Sequence, residues 1–360
     1  MKRKTAALYD PYLDVMGGGE RHILSILQVL EHEGYDVSVF WDNNLVSEIK
    51  SRLNIGFRNL SFLPNVFGFP SPFEKFETLS SYDMFLYVTD GSYFFSSAKN
   101  NFVFSMVPDK KLYKMDFMNR LKTRNFRFIA NSHFTQTWLE SWGVKSNVVY
   151  PYIDQRLVLS DIENPLKQKT VLSVGRFFPH LHAKKQEVIL EVFEKFHEKH
   201  PDYRLVLAGG LKGEDADYFS MLEKKVKDKE YVTLKANVSY EELFDLYRTS
   251  EFFWHFAGYG IDEKVHPERV EHLGMTPLEA MAAGTVTFCF GAGGPKEIIV
   301  DGKNGFLFHS EEELIRKTES VLTNATLYKK IQAEAKQTIK ESFTYTIFKT
   351  NVINTLLKKS

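Results

Sequence analysis

The chain has 360 residues, of which 43% are hydrophobic and 26% are charged, which provides enough apolar residues for two buried cores. Lys and Arg together number 46, as do Asp and Glu. The resulting net charge of zero argues against a dedicated nucleic-acid binder, which usually has a basic excess. The length exceeds that of one ordinary domain and suits two α/β domains.

Cysteine content and apolar runs bear on the cellular compartment. The one cysteine, Cys289, lies in an apolar run and cannot form an internal disulfide, so we expect it to be a buried strand residue. No apolar run approaches membrane-spanning length, and the N-terminal run is too short for the core of a signal peptide. We therefore expect a reducing, cytoplasmic compartment.

Apolar runs and helical spacing alternate along the first half of the chain. Residues 20–33 have large apolar side chains at helical spacing and follow a loop, 10–19, that ends in three glycines. Strands are predicted from apolar runs at residues 5–9, 36–41, 59–62, 84–88, 102–105, 127–130 and 148–150. Alternating strands and helices indicate a parallel sheet covered on both faces.

The same pattern restarts in the second half. The segment 160–168 is polar and contains Pro165, so we interpret it as a linker. Strands are predicted at 170–174, 204–208, 231–234, 251–255 and 285–290, and helices at 186–197, 240–248 behind a capping box at Ser239, 278–283, 327–341 and 345–357. The repeated layout predicts two Rossmann-like, doubly wound α/β domains facing a cleft, at 1–160 and 161–342, with a C-terminal helix at about 343–360 packing back on the first.

The stretch between Glu271 and Glu279 carries the strongest chemical signal. Thr276 is predicted to cap a helix whose first residue is Pro277 and whose third is Glu279. Such a helix start offers unpaired backbone N–H groups and a positive dipole end to an anion. Gly274 would let the backbone approach a ligand, and the two carboxylates can accept hydrogen bonds from sugar hydroxyls. Taken singly, the two acids are also consistent with a helix cap and a surface residue.

Two cations and a glycine loop suit a diphosphate. Arg176 and Lys184 lie between a predicted strand and the next helix, at the end of the sheet where open α/β folds bind ligands. Arg can hold a phosphate through two parallel hydrogen bonds. Gly18 and Gly19 precede a helix in the first half, which indicates either a phosphate loop or a plain turn. The G-x-G-x-x-G fingerprint is missing, so a Rossmann oxidoreductase is disfavoured.

Six short motifs occur in order along both halves: GGGER at 17–21, NSHFT at 131–135, YPYID at 150–154, VGR at 174–176 with Lys184, the pair Glu271 and Glu279, and GGPKE at 293–297. Each motif alone is weak. Their order and spacing resemble those of the family-four retaining glycosyltransferases, which have the GT-B fold. The run from His255 to Gly274 resembles a bacterial subgroup of that family.

The resemblance implies an enzyme that moves a hexose-type sugar from a nucleotide-diphosphate donor, of UDP or GDP type, to a glycan or glycolipid acceptor. It implies retention at the anomeric carbon and a place in polysaccharide or cell-envelope synthesis. It also implies that no metal or other cofactor is needed. The acceptor would attack from the front face while the leaving diphosphate draws its proton.

The resemblance also assigns a role to each matched residue. Arg176 and Lys184 would neutralise the diphosphate. Glu279 would hydrogen-bond the ribose, and Glu271 would contact the donor sugar as the catalytic residue. The other implied donor contacts are Gly18 and Gly19 at the phosphates, Asn237 near the base, and the backbone of Leu273, Gly274, Met275 and Thr276 at the sugar.

One position departs from the family pattern. Many members have a histidine shortly before a proline near the reacting sugar, where this chain has Met106 before Pro108. Ser105 and Asp109 are the nearby polar candidates. A nucleotide-sugar-binding pseudoenzyme, or a subunit of a glycosylation complex, is therefore the alternative to an enzyme.

The stretch 109–127 contains seven Lys and Arg side chains with Met, Phe and Leu between them. This pattern is typical of a solvated helix with one core face, which is the interpretation we favour. It is also found in segments that lie on anionic membranes. In that case the protein would be peripheral at the inner face of the membrane, with a lipid-linked acceptor.

Overall fold

A computed structural model describes residues 3–68, 71–159, 166–180 and 183–358. The chain divides into two compact units, Met1–Pro151 with Thr346–Ser360, and Tyr152–Tyr345. Most of the predicted linker falls on residues 160–165, which lie outside the described ranges.

In the first unit, seven parallel strands of the described chain form one sheet: β1 (Lys4–Tyr9), β2 (Tyr35–Phe40), β3 (Leu60–Leu63), β4 (Met84–Val88), β5 (Asn100–Ser105), β6 (Phe126–Ala130) and β7 (Ser146–Val148). Their spatial order is β3-β2-β1-β4-β5-β6-β7. The helices are α1 (Gly18–His32), α2 (Val46–Leu53), α3 (Pro72–Leu79), α4 (Phe117–Lys122) and α5 (His133–Ser141). Ala6, Ala7 and Leu8 are fully buried, as expected for a strand covered on both faces.

The second unit begins with helix α6 (Gln155–Leu159). Its sheet consists of β8 (Gln168–Val174), β9 (Arg204–Gly209), β10 (Val232–Ala236), β11 (Ser250–His255), β12 (Val286–Phe290) and β13 (Phe306–Phe308), all parallel, in the order β10-β9-β8-β11-β12-β13. The helices are α7 (Gln186–Lys199), α8 (Ala216–Val226), α9 (Tyr240–Thr249), α10 (Met275–Ala282), α11 (Pro295–Ile298), α12 (Glu311–Leu322) and α13 (Ala325–Ser342).

Aromatic side chains fill the core of the second unit. Trp254 on β11 is fully buried, and its ring lies 6.1 Å from that of Phe193 and 5.6 Å from that of Phe196 on α7. Cys289 on β12 is buried, as expected, and burial raises the pKa of its thiol well above the usual value. The aromatic contacts pack β11 closely against α7.

The chain ends in α14 (Tyr345–Val352) and a π-helical turn, Ile353–Leu357. Most of this segment belongs to the first unit. Lys349 forms an ion pair of 2.9 Å with Glu33, and Arg127 Nη1 donates to the carbonyl oxygen of Thr355 at 3.4 Å. The helix predicted at 345–357 is confirmed in extent, and its last five residues have the hydrogen-bonding pattern of a π-helix.

The prediction of two parallel-sheet α/β domains is confirmed. Most predicted strands differ from the observed ones only at their ends, but the strand predicted at 148–150 lies at Ser146–Val148. Ser239 is confirmed as the N-cap of α9, since its Oγ accepts a hydrogen bond of 3.1 Å from the N–H of Glu242. The carboxylate of Glu242 pairs with Lys235 at 2.6 Å, so the reciprocal half of the predicted capping box is not what the structure shows.

Candidate functional site

The strand order of the second sheet changes direction between the neighbouring strands β8 and β11. Open α/β sheets bind ligands beyond the carboxyl ends of their strands at such a switch point. Arg176 follows β8, and His255 is the last residue of β11. The segment after β11 returns Glu271 to this edge, where its side chain meets His255. This edge of the second unit is therefore the candidate site.

Glu271 is the centre of the site. Its Oε2 accepts a hydrogen bond from Lys184 Nζ and another, of 2.8 Å, from His255 Nε2. The side chains of Lys184 and Glu271 are only 12% and 13% exposed, and that of His255 is 1% exposed. A carboxylate with so little solvent needs such partners, because burying an uncompensated charge is costly. The structure thus brings the predicted Glu271 and Lys184 into direct contact.

His255 was not among the predicted site residues. Burial lowers the pKa of its imidazole below the usual value, although the hydrogen bond with Glu271 acts in the opposite direction. The neutral ring donates from Nε2, and Nδ1 is buried with no partner in the described ranges. The available sequence signals were its position at the end of an apolar strand and at the start of the run from His255 to Gly274, and neither indicated a contact with Glu271.

Three glycines shape the backbone around this contact. A Cβ at Gly175 would collide with the aliphatic stem of Lys184, so the glycine lets that stem pass. Gly293, at φ +68°, would collide with the carbonyl oxygen of Glu271 if it had a Cβ. Gly294 donates its N–H to the same oxygen at 2.8 Å. The 293–294 loop therefore fixes the backbone position of Glu271.

The start of α10 differs from the prediction. The helix begins at Met275, and its cap is Gly274, which has a left-handed φ of +101° and no side chain to bond the helix. Thr276 is therefore not the N-cap, and Pro277 is the third helical residue rather than the first. The missing N–H of Pro277 costs nothing there, because the first N–H groups of a helix lack intrahelical partners anyway. The N–H groups of Met275 and Thr276 remain at the helix start, as an anion site requires.

Glu279 is correspondingly not a capping acid, because it lies one turn into α10. Its carboxylate is buried and accepts a hydrogen bond of 2.9 Å from the hydroxyl of Tyr247 on α9. Glu279 also lines a small pocket with Tyr240 and Phe244. Its interpretation as part of a capping box is wrong, whereas its contact with a ribose stays a prediction.

Arg176 directly follows Gly175, the glycine that the stem of Lys184 passes. Its guanidinium lies 4.5 Å from the ring centre of Phe178, and its Nη2 is 3.5 Å from Asp215. The side chain is 30% exposed, so it is oriented by these two neighbours and still reaches solvent.

The side chain of Asn237 connects two loops through hydrogen bonds to the backbone of Leu211. Its backbone is left-handed, with φ +54°, and its side-chain amide both accepts from the N–H of Leu211 and donates to the carbonyl oxygen of Leu211, at 2.9 and 3.1 Å. This pair of bonds joins the loops that follow β9 and β10. The side chain is therefore engaged in shaping the loop predicted to lie near the base.

Gly18 and Gly19 belong to the first unit, where α1 begins at Gly18. The N–H of Gly17 donates to Glu20 Oε2 at 2.7 Å, which stabilises the helix start. Gly19 is packed against Met106, and a Cβ there would collide with the sulfur. Met106 therefore occupies the space directly over the first turn of α1.

The two polar candidates near Met106 differ in their surroundings. Ser105 ends β5, and its buried Oγ interacts with the buried hydroxyl of Tyr113. Asp109 instead accepts a hydrogen bond of 2.9 Å from the N–H of Lys111, so its carboxylate stabilises a local turn. Within the described ranges, no group of three or more His, Cys, Asp or Glu side chains could hold a metal ion.

A family model described as "Glycosyl transferases group 1" matches residues 156–338, about half of the chain. The matched region contains Arg176, Lys184, His255 and Glu271.

Several curated relatives are eukaryotic mannosyltransferases. The human GDP-Man:Man(3)GlcNAc(2)-PP-Dol alpha-1,2-mannosyltransferase is 30% identical over 217 residues, which cover 54% of this chain and 41% of the human protein. The alpha-1,3/1,6-mannosyltransferase alg2 of Schizosaccharomyces pombe is 26% identical over 251 residues, which cover 61% of this chain and 48% of that protein. The chain thus spans less than half the length of these relatives.

Solved structures resemble the whole chain. HepE from Anabaena, in complex with UDP and glucose, has a TM-score of 0.73 at 17% identity, covering 99% of this chain and 100% of that chain. A glycosyltransferase from Rickettsia africae has a TM-score of 0.73 at 16% identity and covers 100% of both chains. At such identities the likeness shows the fold alone, which is that of the GT-B glycosyltransferases.

Proposed function

The chain belongs to the group 1 glycosyltransferases, and from that premise we propose that it transfers a hexose from a nucleotide-diphosphate sugar to a glycan or glycolipid acceptor, with retention at the anomeric carbon. The observation that carries the proposal is the buried contact of Glu271 with Lys184 and His255 at the switch point of the second sheet. An ionised acid held by two donors can orient sugar hydroxyls without moving itself.

The donor diphosphate is expected to lie beside Arg176 and Lys184. The guanidinium of Arg176 is already oriented by Phe178, which lowers the ordering cost of binding a phosphate. The N–H groups of Met275 and Thr276 at the start of α10 add partial positive charge. These groups are the reason to expect transfer without a metal ion, since they supply the positive charge that a diphosphate leaving group needs.

The proposed reaction exchanges one bond at the anomeric carbon. The acceptor hydroxyl oxygen attacks that carbon from the face that the diphosphate leaves, and the carbon–oxygen bond to the diphosphate breaks. The departing phosphate oxygen takes the hydroxyl proton. The products are a glycoside with unchanged anomeric configuration and a nucleoside diphosphate. Glu271 contacts the donor sugar, and Glu279 contacts the ribose.

The names of the relatives guide the choice of substrates. The human relative is named for GDP-Man and a PP-Dol-linked glycan, whereas HepE was solved with UDP and glucose. UDP- and GDP-sugars are therefore the donors to test first, and a lipid-linked glycan is the first acceptor. Membership of a bacterial subgroup stays a prediction, because the curated relatives above are eukaryotic. We place the reaction in the cytoplasm, with peripheral contact at the inner face of a membrane.

Donor turnover in variants of the candidate site tests the proposal. Release of nucleoside diphosphate is measured with UDP-, GDP- and ADP-sugars, with and without acceptor and with a chelator present. Glu271→Ala and Arg176→Ala should each lower turnover by about a hundredfold, as expected when a charged contact to the transition state is lost. Glu223→Ala on α8, an exposed acid with no ion pair in the described chain, is the control and should leave turnover unchanged.

Two outcomes would contradict the proposal. Unchanged turnover in both the Glu271 and the Arg176 variants would remove the candidate site. Tight binding of a nucleotide sugar by the unaltered chain, with no turnover on any acceptor, would instead favour the pseudoenzyme alternative that Met106 suggested.

A further inference from the structure

Two large apolar side chains on α4 point into solvent. Phe117 is 80% exposed and Met118 is 50% exposed, and α4 has no buried residue. The sequence favoured a helix with one core face over 109–127. The structure has only the short α4 there, and the contacts of this stretch with the core come mainly from Tyr113, Met115 and Phe126 outside that helix. The N-terminus of α4 is nevertheless stabilised by a cap, because Asp116 accepts a hydrogen bond of 2.9 Å from the N–H of Asn119. The two apolar side chains are therefore presented to solvent by a capped helix.

Basic side chains surround this apolar pair. Five of them are exposed: Lys110, Lys111, Lys114, Arg120 and Arg124. We call these five together with Phe117 and Met118 the α4 surface. Asn119 Nδ2 donates to the carbonyl oxygen of Lys114 at 2.7 Å, which holds the preceding turn against α4.

The positive charge of the α4 surface is not neutralised within the unit. None of its five basic side chains forms an ion pair in the described part of the chain, and Arg120 Nε donates to a backbone carbonyl instead. The two acids of the segment are engaged locally, since Asp109 accepts from a backbone N–H and Asp116 caps the helix. The surface is thus apolar at its centre and cationic around it.

Helix α3 of the first unit also exposes two large apolar side chains, but its exposed charged residues are acids rather than bases. Phe73 is 86% exposed and Phe76 is 48% exposed, both on α3, where the exposed acids Glu74 and Glu77 accompany them. Both helices cover the same side of the first sheet, because Leu79 of α3 lies in the same core cluster against which Met115, just before α4, packs. The unit therefore carries one apolar pair among acids and another among bases.

We propose that the α4 surface docks on an anionic lipid bilayer. Phe117 and Met118 would enter the interface between headgroups and acyl chains, and the basic side chains would contact lipid phosphates. Each basic side chain near an anionic surface strengthens binding about fivefold, so the five together favour a bilayer over a neutral partner. No helix in the described ranges is long and apolar enough to cross a bilayer, so the proposal concerns surface contact only. It does not rest on the proposed transfer reaction.

Vesicle sedimentation of the full chain tests this proposal. Mixed phosphatidylcholine–phosphatidylglycerol vesicles should pellet the protein at low salt, whereas pure phosphatidylcholine vesicles should not. The double variant Phe117→Ser with Met118→Ser should weaken binding about tenfold through lost apolar contact. Lys110→Glu with Lys111→Glu should weaken it at least as much and reduce its salt dependence.

The matched control is Phe73→Ser with Phe76→Ser, which removes the apolar pair among acids and should leave vesicle binding unchanged. Thermal unfolding of each variant checks that the fold is intact, and exposed positions should change it little. The proposal is overturned if the Phe117–Met118 variant binds vesicles as well as the unaltered chain does. It is also overturned if the Phe73–Phe76 control loses as much binding as the Phe117–Met118 variant. So does a lipid-free dimer that the Phe117–Met118 variant converts to a monomer, since the α4 surface would then be a protein interface.

Discussion

His255 Nε2 lies 2.8 Å from Oε2 of Glu271, the same oxygen that Lys184 contacts. One carboxylate oxygen is thus held by a cation and by a neutral ring that burial keeps from titrating at its ordinary pKa. The two donors constrain the carboxylate from different elements, β11 and the segment before α7. His255 is therefore a positioning residue for Glu271.

Replacing His255 should show whether it positions the Glu271 carboxylate for the reaction or contributes to substrate binding. His255→Leu removes the hydrogen bond to a buried charge and should lower kcat about tenfold to a hundredfold, with a smaller effect on KM. His255→Gln can still donate to the carboxylate and should recover much of the loss. Because burial lowers the pKa of His255, any inflection that this residue adds to the pH–rate profile of the unaltered chain should lie below the usual histidine value. If His255→Leu and His255→Gln had the same activity, the positioning role of His255 would be excluded.

The corrected start of α10 predicts a contrast between two hydroxyl residues. Ser239 caps α9 through its side chain, whereas Thr276 lies inside α10 and makes no capping bond. Ser239→Ala should lower the free energy of unfolding by about 1 kcal/mol, and Thr276→Ala should change it by less than about 0.5 kcal/mol. Urea unfolding measures both. A larger effect at Thr276 would support the cap position that the sequence suggested.

Met106 explains why a glycine follows the first residue of α1. Gly19→Ala should destabilise the chain, because the new methyl group would meet the Met106 sulfur. In a Met106→Ala background the same change should stabilise it by up to about 1 kcal/mol, since alanine is the better helix former. The sign reversal is measured by a double-mutant cycle in urea. Additive effects would show that Met106 does not constrain Gly19.

The predictable part of the fold follows from short-range patterns. Runs such as that of β1 are apolar on both faces, and only a central strand of a covered sheet needs that pattern. The start of α10 was misplaced because a Thr-Pro pair is also the usual opening of a helix. The left-handed Gly274 caps the helix instead, and glycine leaves no side-chain signal for a cap.

The site was predictable only in part for a different reason. Glu271, Lys184 and Arg176 belong to recognisable motifs, and the first two are brought into contact as one cluster. The hydrogen bond of His255 with Glu271 depends on how a long segment folds back to the sheet edge, which the spacing of residues does not reveal. Likewise, the exposure of Phe117 depends on which face of a short helix the core accepts.

The buried Lys167 predicts how the free energy of unfolding depends on pH. Its ammonium donates to the carbonyl oxygen of Ala283 at 3.1 Å and to Thr285 Oγ1 at 2.9 Å, and burial lowers its pKa to about 7. Between this value and the ordinary lysine pKa, the unfolded chain binds a proton that the folded chain lacks. Stability should therefore rise with pH across that window, by at most about 1.4 kcal/mol per pH unit, with no contribution to the slope below about pH 7.

Lys167→Met should remove that rise, as measured by urea unfolding at several pH values from neutral to mildly alkaline. Lys169→Met is the matched control on β8, because the exposed Lys169 pairs with Asp202 and its pKa is raised rather than lowered. The folded-state stabilisation from that pair persists until pH exceeds the ordinary lysine value, so the control should keep the rise. A rise of the same size in the Lys167 variant would mean that another group titrates in this window.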